Sequence, residues 1–382
     1  MRIIPLLSII LILLASSFEA LGCTSAIISA KLNPTGRPIL WKHRDTSNTD
    51  NKIEYVAPEK GEYGYVALFN AADRKLKEAW MGMNEVGFAV MNTASYNIKD
   101  DKVAESKMDK EGFLMTKALK TCRTVDDFAE LLDKYPRPMG VEANFGVIDA
   151  SGEGAYFETN NHSYKRFNLK DSEKGILVRT NYSHSGRPNE GYGFIREANA
   201  ENMLQPYVDE EAVTPEVLTE YLSRTFYHDG TKHDYSYDGD KSLKDEDFIP
   251  RFKSTATIAI EGCRPLKNSE VADSSFVSQE YIMWTGLGYP PVAEIKAVRC
   301  QQDGIDEGLQ GDSTTGHSRL ADEAKRKRDE VFGAGKPGKI KYIDMTLLYD
   351  PDGSGYVQQL RSKNHDTYVR ESALRDARSR KN

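Results

Sequence analysis

The stretch Leu21-Gly22-Cys23-Thr24-Ser25-Ala26-Ile27-Ile28-Ser29 decides how this sequence is interpreted. Its apolar run Ala26-Ile27-Ile28 predicts a buried strand. Asn33-Pro34-Thr35-Gly36 predicts a turn, and the residues that follow predict a returning strand. Such a hairpin brings the charged group Lys42-His43-Arg44-Asp45 back beside the start of the first strand.

The residues before Cys23 are typical of a secretion signal. Arg2 supplies the positive charge, Ile3 to Ala15 form an apolar core, and Ala20-Leu21-Gly22 places small residues at the −3 and −1 positions of a cleavage site. The apolar run is too short to span a bilayer. We therefore predict a signal peptide over 1–22 and a secreted or periplasmic protein without stable membrane insertion.

The composition is that of a folded protein, with 39% hydrophobic and 10% aromatic residues. A net charge of −7 argues against nucleic-acid binding, because no basic excess is available to neutralise phosphates. Runs of strands alternate with runs of helices, without a repeat or a clear linker. This pattern predicts one α+β domain over 23–382, in which 317–382 is a charged C-terminal extension.

Several elements are predicted from periodicity. Two helices over 107–134, broken at 121–123, follow from apolar residues at helical spacing. A polar stretch over 228–247 predicts a long functional loop. Residues 339–349 predict a strand, and an antiparallel meander is predicted from four short apolar runs at 144–149, 154–158, 164–167 and 175–179.

The four cysteines are too few and too scattered for a disulfide scaffold or a zinc site. Cys263 and Cys300 each close a predicted strand and could pair in an exported protein, which would leave Cys122 over. No metal or cofactor is predicted. Three histidines lack the partner spacing of a metal site or a catalytic triad and are interpreted as loop residues: His184, His228 and His233.

Cys23 has three interpretations: a buried small residue, a lipidated cysteine, or an N-terminal nucleophile exposed by cleavage after Gly22. A thiol needs a nearby cation or base to become a thiolate. A free α-amine titrates near pH 7.7 and can shuttle a proton. In the predicted hairpin, Lys42 or Arg44 would favour the thiolate and Asp45 would hold the amine.

The sequence resembles the choloylglycine hydrolase, penicillin V acylase and acyl-coenzyme A:6-aminopenicillanic acid acyltransferase branch of the N-terminal nucleophile (Ntn) hydrolases. The resemblance covers roughly residues 23–298. It implies a four-layer αββα sandwich and hydrolysis or transfer at a non-peptide amide bond. The features that carry it are, in order, Cys23-Thr24-Ser25, Lys42-x-x-Asp45, Gly82-Met83-Asn84-Glu85-x-Gly87 followed by Asn92, Arg179-Thr180-Asn181, and Trp284 with Pro290.

The resemblance implies a role for each matching residue around the nucleophile. Cys23 matches the nucleophile whose own amine serves as base, and Asp45 matches the aspartate that contacts this amine. The family usually has arginine three residues before that aspartate, where this chain has Lys42. Whether Lys42 or Arg44 is the cation beside the thiol is therefore left open.

Further site residues are carried over in the same way. Asn92 resembles the asparagine that contributes to the oxyanion hole, with Asn97 as a fallback. Asn181 resembles a second asparagine that lines the site, and Arg251 resembles a late arginine of the family. These matches complete the predicted catalytic set.

The sequence thus predicts a secreted cysteine-dependent amidohydrolase that cleaves a small-molecule N-acyl amide through a thioester. An acyltransferase using the same nucleophile is one alternative. Another is a lipid-anchored surface binding protein in which Cys23 is acylated. Bile salts, penicillins and N-acyl amino acids all remain open as substrates, and homo-oligomerisation is left open.

Overall fold

The computed structural model describes residues 22–99, 101–265, 280–333 and 341–379. One antiparallel sheet has six strands in the order β10-β1-β2-β14-β15-β16. These strands are β1 (Thr24–Ile28), β2 (Ile39–Asp45), β10 (Ile176–Arg179), β14 (Ser254–Glu261), β15 (Ile282–Leu287) and β16 (Ile295–Val298).

A second antiparallel sheet has seven strands that follow one another in chain order. Its strands are β3 (Asn51–Val56), β4 (Tyr65–Asn70), β5 (Met81–Asn84), β6 (Ala89–Ala94), β7 (Ala143–Ile148), β8 (Gly154–Thr159) and β9 (Tyr164–Asn168). Two small ribbons complete the strands: β11 (Tyr227–His228) with β12 (His233–Asp234), and β13 (Leu243–Lys244) with β17 (Tyr342–Ile343).

The helices cover the outer faces of the two sheets. Those on the seven-stranded sheet are α1 (Glu111–Thr121) and α2 (Val125–Lys134), which share one apolar core with it. The six-stranded sheet is covered by α3 (Phe194–Asp209), a π-helix (Val217–Leu222) and α6 (Tyr356–Ser379). The helices α4 (Arg319–Val331) and α5 (Met345–Leu348) pack together in a smaller cluster.

The main core lies between the two sheets. Ile27 and Leu40 of the first sheet meet Val66 and Met83 of the second there, and all four side chains are buried. The layer order is therefore helix, sheet, sheet, helix, and the predicted four-layer αββα sandwich of the Ntn-hydrolase type is confirmed. The burial of apolar side chains on both faces of each sheet is the main stabilising contribution in such an arrangement.

The predicted hairpin forms, and its register places the charged group. Thr24 of β1 lies opposite His43 of β2, and Ser25 lies opposite Lys42. Side chains alternate between the two faces of a strand. Because Leu40 points into the core between the sheets, Lys42 and Arg44 point the same way, while His43 and Asp45 point toward the α3 side.

A buried ion pair fixes the C-terminal helix to the turn of this hairpin. Arg375 of α6 donates to Glu261 at 2.5 Å, and both side chains are at most 1% exposed. The same carboxylate accepts hydrogen bonds from Asn33 at 3.1 Å and from Thr35 at 2.7 Å. One carboxylate at the end of β14 therefore joins the turn, the sheet and the helix.

Two of the predicted elements are wrong. The fourth strand of the predicted meander, β10, leaves the seven-stranded sheet and pairs with β1, because Ile176 and Val178 bury against the α3 layer. Of the strand predicted over 339–349, only β17 forms among the described residues. Asp344 then caps α5 by accepting a hydrogen bond from the Thr346 amide, so a helix begins there instead.

The pairing suggested for Cys263 and Cys300 is also wrong, since both thiols are free. Cys263 follows β14 and Cys300 follows β16, with β15 between them. Two strand spacings amount to about 10 Å, which exceeds the Cα separation that a disulfide can bridge. No helix in the described ranges has both the length and the apolar composition needed to cross a bilayer.

Arg375→Met is expected to destabilise the protein by about 3–5 kcal/mol, because it leaves the buried Glu261 carboxylate without its cation. Urea unfolding followed by circular dichroism measures the change. Arg370→Met, on an exposed turn of the same helix, is the control and is expected to leave the unfolding midpoint unchanged. Equal midpoints for the two variants would contradict a structural role for the pair.

Candidate active site

Cys23 lies immediately before β1 and is 9% exposed. Its sulfur is 3.9 Å from the backbone oxygen of Asp45, at the end of the neighbouring strand. In the structure Cys23 is joined to Gly22, so its nitrogen is part of a peptide bond. The hairpin thus brings the predicted nucleophile and the predicted aspartate together.

The Asp45 carboxylate is the centre of a buried polar network. It forms an ion pair with Arg251 through both Nε, at 3.1 Å, and Nη2. Ser254 donates to its other oxygen at 2.6 Å and also lies 2.8 Å from His43. Burial lowers the pKa of His43 to about 4, so the imidazole is neutral at neutral pH. The arginine is therefore the cation that balances this carboxylate.

Arg251 also contacts the residue before the nucleophile. Its Nη2 donates to the Gly22 backbone oxygen at 2.8 Å. The predicted late arginine is thus placed at the same site as Asp45, with one guanidinium holding both the carboxylate and the main chain that leads into Cys23. The network confines the Gly22–Cys23 peptide bond on the α3 side of the sheet.

Lys42 lies on the opposite face of β2, between the sheets. Its ammonium donates to the Trp80 backbone oxygen at 3.0 Å and to the Asn92 side-chain oxygen at 2.9 Å. Burial lowers its pKa to about 8, a shift that the nearby Cys23 sulfur opposes and Arg44 reinforces. Lys42 is therefore partly deprotonated just above neutral pH, whereas an arginine at the same position would stay protonated.

The Arg44 side chain contacts a different set of partners from Lys42. Its guanidinium bonds to the side-chain oxygens of Asn51 and Asn70, the latter at 2.9 Å, and stacks on the Trp80 ring. Burial lowers its pKa to about 10, so it stays protonated at neutral pH. Both candidate cations are therefore buried on the inter-sheet side, but only Lys42 also contacts the predicted oxyanion residue Asn92.

Arg196 of α3 is a site residue that the sequence interpretation missed. Its Nη1 donates to the Cys23 backbone oxygen at 2.7 Å and to the Thr24 hydroxyl at 3.0 Å. Its Nη2 donates to the Asn181 side-chain oxygen at 2.9 Å. In turn, Asn181 donates to the Ala94 backbone oxygen at 2.9 Å, which joins the end of β6 to the nucleophile.

Asn97, the alternative to Asn92 as the oxyanion residue, bonds to residues other than the nucleophile. The Asn97 side chain bonds to the backbone of Ser183 and Arg187 and so joins two loops. No hydrogen bond links it to Cys23 or Asp45 in the described residues.

Ser254 is a second site residue that the sequence interpretation missed. A serine at the start of a strand and an arginine on a helix carry no pattern that marks them as site residues, so only their contacts identify them.

One cluster elsewhere has the residue types of a metal site. Asp50, His317 and Asp322 place one ligand atom each within 4.8 Å of one another. Lys325 already forms an ion pair with Asp50 at 2.7 Å. Neither Cys23 nor its hydrogen-bond partners belong to this cluster.

The comparisons with known proteins bear on the class of this site. The acyl-coenzyme A:6-aminopenicillanic acid acyl-transferase family matches residues 44–208. This match confirms the resemblance to Ntn hydrolases, although Cys23 and Lys42 precede the matched range. With the αββα fold, it indicates an enzyme of amidase- or acylase-like activity. Comparison with curated proteins gives no match.

The comparison with solved structures includes the following three proteins. A Caenorhabditis elegans ortholog of N-acylethanolamine-hydrolyzing acid amidase is 16% identical, with 50% of this chain and 86% of that chain covered and a TM-score of 0.37. A variant of the conjugated bile acid hydrolase of Clostridium perfringens is 12% identical (74% and 95% covered, TM-score 0.41). Penicillin V acylase of Agrobacterium tumefaciens is 12% identical (79% and 96% covered, TM-score 0.39).

Lys42→Met is expected to slow the alkylation of Cys23 by iodoacetamide about 10-fold at pH 6.5, because a thiolate beside a cation forms more readily. Lys42→Arg is expected to keep the fast rate. The Lys42 ammonium is present below pH 8 and lost above it, so wild type and Lys42→Met should converge above pH 8. The charged groups that act on Lys42 are Cys23 and Arg44.

Lys52→Met is the matched control for this experiment, since Lys52 is also buried but pairs with Glu54. Alkylation of the Cys23 peptide is followed by mass spectrometry. Burial raises the pKa of Cys122 and Cys263 to about 12, so these thiols react slowly. Equal alkylation rates for wild type and Lys42→Met at pH 6.5 would show that Lys42 does not act on the thiol.

Proposed function

We propose that this protein is an exported amidohydrolase in which Cys23, freed by cleavage after Gly22, attacks the carbonyl carbon of an N-acyl amide. The observation that carries the proposal is the buried network of Asp45, Arg251 and Arg196 around the Gly22–Cys23 bond. Arg196 holds the Cys23 backbone oxygen, Arg251 holds the Gly22 backbone oxygen, and Asp45 holds Arg251, which is more than a structural strand end needs. They suit an N-terminal residue whose amine must be held in one place.

The proposed reaction has two halves. The Cys23 amine takes the thiol proton, and the thiolate forms a bond to the carbonyl carbon. The C–N bond then breaks as the ammonium returns a proton to the leaving amine, which gives a thioester. In the second half the amine removes a proton from water, the hydroxide attacks the thioester, and the carboxylic acid and the thiol are released.

The remaining residues stabilise charge during these steps. In this proposal Asp45, which is held by Arg251 and Ser254, orients the ammonium. Lys42 fixes the side-chain oxygen of Asn92, so the Asn92 amide group is left to donate elsewhere, which suits an oxyanion contact. Loss of one oxyanion donor costs about 2.7–4 kcal/mol in the activation barrier. An acceptor amine in place of water would make the same site an acyltransferase.

An aromatic patch beside the site supports an apolar acyl group. Tyr96 and Tyr192 stack edge to face with ring centroids 5.4 Å apart, and Tyr182 stacks on Phe194 at 4.3 Å. Tyr96, Tyr192 and Phe194 are 38%, 50% and 44% exposed, and a contiguous group of exposed aromatic side chains is typical of a binding surface. Tyr192 and Asn181 are paired in an isolated antiparallel β-bridge, so the aromatic patch is adjacent to the site.

The rival proposal is a lipid-anchored binding protein with an acylated Cys23. Against it, β1 begins at the next residue without a flexible tether, and the sulfur is buried. Mass spectrometry of the mature N-terminus separates the two. An unmodified Cys23 is expected, whereas a diacylglyceryl adduct would remove the nucleophile and end the amidase proposal.

Cys23→Ala is expected to lower amide hydrolysis by about 10⁴-fold or more, because the covalent step is lost. Release of amine from N-acyl amino acids, conjugated bile salts and penicillin V measures it. Cys263→Ala removes another buried thiol and is the control, which should keep full activity. A fully active Cys23→Ala variant with a native circular dichroism spectrum would contradict the proposal.

Tyr192→Ala is expected to reduce kcat/KM for an aryl-acyl substrate about 3- to 10-fold, as one aromatic contact is lost. Hydrolysis of the matching acetyl substrate should not change. Tyr237→Ala, at another exposed tyrosine, serves as the control. If both substrates respond equally to Tyr192→Ala, the patch does not bind the acyl group.

A further inference from the structure

A β-bulge beside the site changes the direction in which Ser254 points. Where β14 pairs with β2, Ser254 lies opposite Asp45 and Ala256 lies opposite Arg44, so Thr255 is an extra residue between them. In a regular strand Ser254 and Ala256 would point to the same face of the sheet. Ala256 belongs to the core between the sheets, whereas Ser254 bonds to Asp45 on the other face. The bulge therefore re-aims one serine toward the site.

The contacts of the Ser254 hydroxyl determine where its single proton lies. The oxygen is 2.6 Å from Asp45 Oδ1, 2.9 Å from the Arg251 backbone nitrogen and 2.8 Å from His43 Nε2. The Asp45 carboxylate, which is paired with Arg251, only accepts hydrogen bonds, and the backbone amide only donates them. The hydroxyl proton therefore points to Asp45. The lone pair of the oxygen that remains must accept a hydrogen bond from His43 Nε2.

The surroundings of His43 agree with a proton on Nε2. The imidazole is fully buried, and its Nδ1 has no hydrogen-bond partner among the described residues. A buried N–H without a partner is rarer in proteins than a buried acceptor without one. Burial lowers the pKa of His43 to about 4, and Arg251 and Arg196 act in the same direction against the opposing effect of Asp45. His43 is therefore neutral, with its one ring proton directed at Ser254.

We propose that His43 and Ser254 are positioning residues for the proposed reaction, joined in an ordered chain of donors that ends on Asp45. The imidazole N–H donates to the Ser254 oxygen, and the Ser254 hydroxyl donates to Asp45 Oδ1. Arg251 holds the other carboxylate oxygen, so the carboxylate is fixed from both sides. Its remaining lone pairs then keep one direction in which to accept from the Cys23 amine. No proton is transferred along this chain.

Ser254→Ala removes the donor that ends the chain. In mature protein, with Cys23 confirmed as its first residue, we expect iodoacetamide to alkylate Cys23 about 10-fold more slowly at pH 7, the scale of one hydrogen bond to a charged group. The reason is that Asp45 then holds the amine that takes the thiol proton less firmly. Mass spectrometry of the Cys23 peptide measures the rate. Equal rates for folded Ser254→Ala and wild type would overturn the inference.

Ser236→Ala is the matched control for this experiment. Ser236 is also 1% exposed, donates to the Asp234 carboxylate at 2.6 Å and accepts from the Phe226 amide at 3.0 Å. It thus loses the same kind of hydrogen bond away from Cys23. The alkylation rate of Cys23 is expected to stay at the wild-type value, and a loss equal to that of Ser254→Ala would overturn the specific role of Ser254.

The pH profile of hydrolysis separates positioning from a general loss of stability. For an uncharged N-acyl amide that wild type hydrolyses, Ser254→Ala is expected to lower kcat about 10-fold with KM unchanged. The acid limb of kcat/KM is expected to move to higher pH by about one unit, because a carboxylate that loses a donor is protonated more easily. An acid limb that stays at the wild-type pH would overturn the role of the chain.

The part of His43 is tested by replacing its donor. His43→Gln keeps an N–H group at similar reach and is expected to retain most of the alkylation rate, whereas His43→Met cannot donate and should slow it. Circular dichroism shows whether each variant folds. In wild type, nitrogen-15 NMR of the imidazoles is expected to show the His43 proton on Nε2 at pH 7. A proton on Nδ1 would overturn the order of the chain.

This inference rests on the proposed function, and alkylation separates the two because it needs no substrate. If wild type hydrolyses no amide while Ser254→Ala is alkylated slowly, the proposed reaction is wrong and the positioning of the Cys23 amine stands. If wild type is an amidase and neither measurement changes in Ser254→Ala, the chain has no such role and the proposed function stands.

Discussion

The antiparallel pairing of β1 with β2 is the constraint on which the site depends. It sets the start of β1 beside the end of β2, so Cys23 and Asp45 come close together in space. Alternation along β2 then divides its charges between the two faces of the sheet. Lys42 points into the core between the sheets, and Asp45 points toward α3. A shift of one residue in this register would exchange these environments.

Each face adds its own electrostatics. On the inter-sheet side, burial lowers the pKa of Lys42 to about 8. The charge near the thiol therefore changes with pH around neutrality, whereas an arginine at this position would stay charged. On the other side, Asp45 is paired with Arg251, and the buried Arg196 bonds to the Cys23 backbone beside them. The nucleophile thus lies between one cation whose charge changes near neutral pH, Lys42, and two that stay charged, Arg251 and Arg196.

Much of the fold could be predicted from periodicity. The hairpin, the two helices of α1 and α2 and most strands follow from local apolar patterns and turn residues. The errors have a common cause. Strand β10 has the length and spacing of a fourth meander strand, and only the burial of Ile176 and Val178 against α3 assigns it to the other sheet. Sequence spacing also cannot show that β15 separates Cys263 from Cys300.

The sequence by itself determined the position of Cys23 at the start of a strand, the turn that returns Lys42 and Asp45 to it, and the resemblance that marks Arg251 and the asparagines. These are local features, written in turn residues and short motifs. Tertiary structure alone decided the role of Arg196, which lies far along the chain on a helix with no motif of its own. Its partners are backbone and amide oxygens, and such contacts leave no pattern in the sequence.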